Sequence, residues 1–183
     1  MGNGMNKVVD GLYLGNIRDA ESRESLSKNG ITHILSVYNN AKPVFEDMTY
    51  LCIHAADASS QNLLAGVSRS TTMVVAYLMT VTHYNRDECL SAVKAVRTFV
   101  GPNDGFQRQL LEYQTTQVSE YRTWLRSSFR PSPFKDEEQV GALLSQYTEQ
   151  HESQRRGADR RRADRDGRVS ALPADSAGPK GSS

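Results

Sequence analysis

Arg69 stands in the run Leu64-Ala65-Gly66-Val67-Ser68-Arg69-Ser70, and an apolar stretch follows it directly. Small residues and a glycine ahead of a helix N-terminus let successive backbone N–H groups converge on an anion. A guanidinium beside them can grip two phosphate oxygens at once. The chemistry open to this segment is phosphate binding through the loop Leu64, Ala65, Gly66, Val67, Ser68 and Arg69, with Ser70 at the helix start. An ordinary glycine-containing turn with a helix cap would have the same local sequence. Asp57, in Ala55-Ala56-Asp57, is a carboxylate at the end of a predicted strand, suited either to proton transfer or to a plain polar terminus. The two cysteines, Cys52 and Cys89, lie in apolar-patterned segments, and neither has metal-ligand spacing to another cysteine or histidine. They read as reduced, buried thiols, with a disulfide between them as the alternative. No metal and no cofactor is called for.

The elements that must hold these groups alternate in type, which predicts an α/β fold. Lys7 to Gly15 (KVVDGLYLG) carries an Asp10-Gly11 turn between apolar runs, the pattern of a hairpin. Asn16 or Asp19 can cap a helix running to Lys28, which Asn29-Gly30 stops. Ile31–Tyr38 and Thr49–His54 read as strands, with a Pro43-containing loop between them. Ser70–Thr82 is apolar nearly all round, as a buried helix is. Asn85–Val100 is helical in period, and Gly101-Pro102-Asn103-Asp104-Gly105 breaks it. One helix is predicted from Phe106 to Ser128, ended by Pro131 and Pro133, and a short last one from Asp136 to Tyr147.

From Glu149 onward there is no apolar periodicity and no aromatic residue, with eight basic and six acidic side chains. Such a segment cannot offset its ordering entropy by burial, so 148–183 is predicted to be a disordered, Arg-rich tail. The Arg155–Arg168 run reads as solvated; a membrane-surface or nuclear-targeting patch is the sharper alternative. The formal net charge of +1 gives no warrant for nucleic-acid binding. No apolar run approaches the ~18 residues of a membrane span. The opening Met1-Gly2-Asn3-Gly4-Met5-Asn6-Lys7 has no apolar leader core, which predicts a cytoplasmic protein.

AGVSRS before an apolar helix resembles the second half of the phosphatase signature His-Cys-x5-Arg-Ser. MGNGMNK, GLYLGN, ITHILSV, YLCI, AAD, YLMTVT and PNDGFQRQL stand in the order found in the small, lipidated dual-specificity protein phosphatases, so residues 1–145 resemble that family. The resemblance implies a mixed sheet flanked by helices. It also implies hydrolysis of phosphotyrosine and phosphoserine/threonine in proteins. In that reaction a cysteine attacks phosphorus while loop amides and an arginine hold the oxygens, and an aspartate protonates the leaving group and then activates water. Carried over, Arg69 is the phosphate clamp, Ser70 assists the departing thiolate, Asp57 is the general acid, and Asn103 and Phe106 pack beneath the site. The implied partners are phosphorylated signalling proteins, with MAP-kinase signalling as the setting.

The chain departs from that pattern where it matters most. Six residues before Arg69 stands Leu63, and the family's histidine position falls on Asn62. Leucine has no nucleophilic atom, so no phosphocysteine can form there. Neither cysteine restores the spacing: Ala58 lies six after Cys52, and Ala95 six after Cys89. The family places a helix and then a central strand between the general acid and the cysteine. Eight residues, Ala55 to Asn62, cannot supply both, since a helical crossover takes at least ~10–12. Against the family pattern about 25 residues are missing, with the join at residues 61–64. The expectation is a phosphatase-like domain at 7–147 lacking one helix and a central strand, marginal in stability and inactive. A non-catalytic module that still holds phosphorylated proteins is the alternative. The resemblance further implies N-myristoylation at Gly2 in the segment 1–6, and with it transient membrane association. The general motif places Ser or Thr at position 6, where this chain has Asn6.

Overall fold

The computed structural model describes residues 4–54 and 65–169. Strands β1 (Asn6–Val9) and β2 (Leu12–Leu14) form an antiparallel hairpin. Gly11 takes φ +77° in its turn, and the ring of Phe134 lies 3.2 Å from where a Cβ would stand. Only glycine meets both conditions without strain. The predicted helix after the hairpin is two helices, α1 (Ile17–Ala20) and α2 (Arg23–Lys28). Asn16 caps the first in a reciprocal box with Asp19, and Ser22 caps the second, so each cap starts its own helix.

Strands β3 (His33–Val37) and β4 (Thr49–Ile53) pair in parallel, with Leu35 opposite Leu51. Among the described residues the two sheets have two strands each. Between β2, β3 and the helix α3 (Ala65–Val81) lies a cavity of about 460 Å³. Leu12 and Leu14, Ile34 and Leu35, and Met73 and Tyr77 line it. Leu35, Leu51, Ile53, Met73 and Tyr77 are exposed, Leu51 to 63%. In the core Val8, Val9 and Leu14 pack with Val75, Leu78 and Met79 of α3.

Helix α4 (Arg86–Val96) adds Cys89, Ala92 and Val93 to that core and is capped by Asn85. It stops before the predicted Val100 because Arg97 turns to extended backbone, its guanidinium donating to Asn6 Oδ1 (3.0 Å) and the Leu14 carbonyl (3.2 Å). The predicted helix 106–128 is divided at Gln117 into α5 (Asp104–Thr116) and α6 (Val118–Ser128). Thr115 and Thr116 bond their hydroxyls back to the Leu111 and Glu112 carbonyls, which loosens the helix there. Val118, just beyond, is buried.

The chain divides into two compact units, 1–147 and 148–183. Helix α7 spans Asp136–Val169, so the stretch expected to be disordered from 148 is helical as far as Val169. From 148 to 165 its side chains are exposed almost throughout, and Arg156 pairs with Glu152 one turn away (3.0 Å). The lack of apolar periodicity excluded a buried face, but Arg, Gln, Glu and Ala are good helix formers, and i,i+4 pairs assist them. Mixed strands and packed helices make this an α/β fold, as the sequence predicted.

Candidate functional site

Leu64 lies outside the described residues, but Ala65 through Arg69 do not form the predicted loop. They are the first turns of α3. Nothing in Ala-Gly-Val-Ser-Arg-Ser breaks a helix, and each further residue joining one gains a hydrogen bond. The consequence for anion binding is direct. From Arg69 onward the N–H groups bond to carbonyls four residues back, which leaves only the first four amides of the helix free of such bonds.

Arg69 is 7% exposed and Ser68 8%. The Ser68 hydroxyl accepts a hydrogen bond from the Asn103 N–H (2.9 Å), and Asn103 Oδ1 accepts from the Phe106 N–H (2.9 Å) to cap α5. The start of α3 is thereby tied to the start of α5. Sequence reasoning assigned Asn103 to the packing beneath the site but missed Ser68 as its partner. A serine one residue before the arginine was the available signal. Phe106 is half-buried. Ser70, half-buried, lines the cavity beside Met73, Val74 and Tyr77. Gly2, Asp57, Asn62 and Leu63 lie outside the described residues.

The cysteines sit elsewhere in the fold. Cys52 is half-buried in β4. Cys89 is fully buried in α4, where loss of solvent pushes its thiol up to about 12. Burial thereby holds it in the thiol form, whereas thiolate is the form that acts as a nucleophile. Among the described residues no group of three or more His, Cys, Asp or Glu side chains could hold a metal ion.

The family model for the dual specificity phosphatase catalytic domain matches residues 62–116, beginning at the expected join. Dual specificity protein phosphatase 22-A of Danio rerio is 67% identical over 177 positions, covering 83% of this chain and 85% of its own length. Since 83% of 183 residues is about 152, about 25 of those 177 positions face a gap in this chain. Dual specificity protein phosphatase 22 of Homo sapiens, 45% identical over 170 positions, covers 79% of this chain and 92% of itself, and leaves the same excess. In three dimensions the chain is similar to the crystal structure of DUSP15, with TM-score 0.65 and 37% identity over 72% of this chain and all of that one. With the α/β frame and these relatives in agreement, the chain belongs to the dual specificity protein phosphatase family.

Proposed function

We propose that this chain is a member of the family that does not turn over phosphoproteins. The observation that carries the reading is Leu63, which stands six residues before Arg69, where the family's reaction needs a thiolate. Three features support it. About 25 positions of the relatives have no counterpart here. Residues 65–69 are helical, so few amides are left to cradle a phosphate. The buried Cys89 is held as a thiol. The purified chain should hydrolyse an aryl phosphate no faster than buffer does, and Arg69→Ala should change nothing. Turnover that is lost on Arg69→Ala, or a phosphoryl group trapped on sulfur, would overturn the reading.

A second reading is a non-catalytic module that holds phosphorylated proteins through Arg69. One likeness favours it: human tyrosine phosphatase-like serine/threonine/tyrosine-interacting protein resembles this chain with TM-score 0.54 and 27% identity. Phosphopeptide binding without hydrolysis, abolished by Arg69→Ala, separates the two readings. In either case the setting is phosphoprotein signalling in the cytoplasm, including the MAP-kinase signalling that the sequence resemblance implies.

Lipidation is part of the same proposal. Gly2 follows Met1, and the sequence resemblance supports N-myristoylation at that glycine. One acyl chain gives only marginal, reversible attachment, so membrane association would be transient. Intact-mass analysis of protein from eukaryotic cells should find Met1 removed and a myristoyl group on Gly2; an unmodified Gly2 would remove this part.

A further inference from the structure

The stretch Tyr121–Lys135 reads YRTWLRSSFRPSPFK: four basic residues, four aromatic residues, and no aspartate or glutamate. It forms the second half of α6 and the connection to α7. Its base is firmly held. Val118 is buried, the Arg122 guanidinium donates twice to the Met79 carbonyl (3.1 and 2.7 Å), and the Phe134 ring covers the Gly11 turn. What projects from this base is aromatic and cationic. Trp124 is 51% exposed and Phe129 58%, their rings meeting edge to face with centroids 5.3 Å apart. Arg126 and Arg130 are exposed, and among the described residues neither pairs with a carboxylate. Lys135 is only loosely near Glu138, at 3.7 Å.

We propose that the C-terminal end of α6 and the loop after it dock on the surface of an anionic lipid bilayer. Tryptophan and phenylalanine exposed side by side on a rigid base are lower in free energy at the headgroup boundary than in water, and an indole keeps its N–H in reach of acceptors there. Unpaired guanidiniums beside them match the phosphates and carboxylates of acidic lipids, and each adds to attachment at a negative surface. The cavity beside β3 is lined by residues between Met5 and Tyr77, so this aromatic surface is not its rim. Among the described residues no helix is long and apolar enough to cross a membrane, so attachment here is peripheral. The inference is independent of Gly2, whose acyl group would act as a second anchor.

Trp124 is the chain's one tryptophan, which makes the test specific. The probe is vesicles of phosphatidylcholine alone, or of two parts phosphatidylcholine to one part phosphatidylserine, mixed with full-length protein whose Gly2 is unmodified by mass. With the anionic vesicles Trp124 emission should shift to the blue and be quenched by brominated lipid, and added salt should reverse both effects. Arg126→Glu with Arg130→Glu should weaken partitioning by roughly thirtyfold or more, because each basic group near such a surface contributes roughly fivefold. Phe129→Ser should weaken it as well, with unchanged far-UV dichroism in every variant. Vesicle binding that leaves Trp124 emission unmoved would assign attachment to the Arg-rich tail and overturn the proposal. So would indifference to the double charge reversal, or self-association through this surface without partitioning.

Discussion

Leu63→Cys alone should leave aryl-phosphate turnover at the solution rate, whereas inserting the relatives' missing segment of about 25 residues should raise it roughly a millionfold or more. The contrast follows from geometry. A nucleophile works only when held about 3–3.5 Å from the reacting atom and in line with the leaving group, and a 1 Å misplacement costs about a hundredfold. Here Ala65–Arg69 are wound into α3, so a sulfur at position 63 would precede a helix rather than sit beneath a ring of amides. Arg69 and Ser68 are buried against the start of α5. The inserted segment should convert residues 65–69 from helix to loop, freeing amides that now bond within α3. In the lengthened chain, Arg69→Ala should lower turnover by about a hundredfold to a thousandfold, the loss typical of one stabilising donor. Turnover by Leu63→Cys alone, sensitive to Arg69→Ala, would show that the clamp forms without the segment and would sink the argument.

How far the sequence could be read depended on where the information is local. The hairpin was legible because Asp10-Gly11 specifies its turn, and α4 because Asn85 and Glu88 form a reciprocal cap. The break at Gln117 was not, since nothing at that position is a helix breaker; it depends on burying Val118 and on two threonine hydroxyls competing for carbonyls. The helix beyond Tyr147 was missed because periodicity reports burial, and a solvated helix has none to report. At the site the spacing from Leu63 to Arg69 could be counted directly. The conformation of residues 65–70 could not, because the same residues are a loop or a helix according to what precedes them. The Ser68–Asn103 hydrogen bond spans 35 positions, a distance over which residue types alone give no pairing rule.

The same missing segment should leave the protein easy to unfold. Leu35, Leu51, Met73 and Tyr77 line the cavity beside the β3–β4 pair, and these and Ile53 are all exposed. Covering the exposed part of each would add about 1 kcal/mol, and about 1 kcal/mol moves the midpoint of a chain this size by roughly 2–4 °C. Insertion of the segment should therefore raise Tm by roughly 10–20 °C, from a starting value below ~45 °C or from a transition without clear cooperativity. Cys89 gives an independent reading. Burial holds its thiol at about 12, so at pH 8 the folded protein presents almost no thiolate there, and alkylation must wait for opening. Its alkylation, mapped by mass apart from Cys52, should be slowed no more than roughly a hundredfold relative to urea-unfolded protein, an opening free energy of only ~3 kcal/mol. The lengthened chain should slow it by roughly ten-thousandfold or more. A sharp melting transition of the present chain near ~60 °C, with Cys89 protected to that higher degree, would mean that α3, α4 and the hairpin form a self-sufficient core. The open face beside β3 would then cost the protein little.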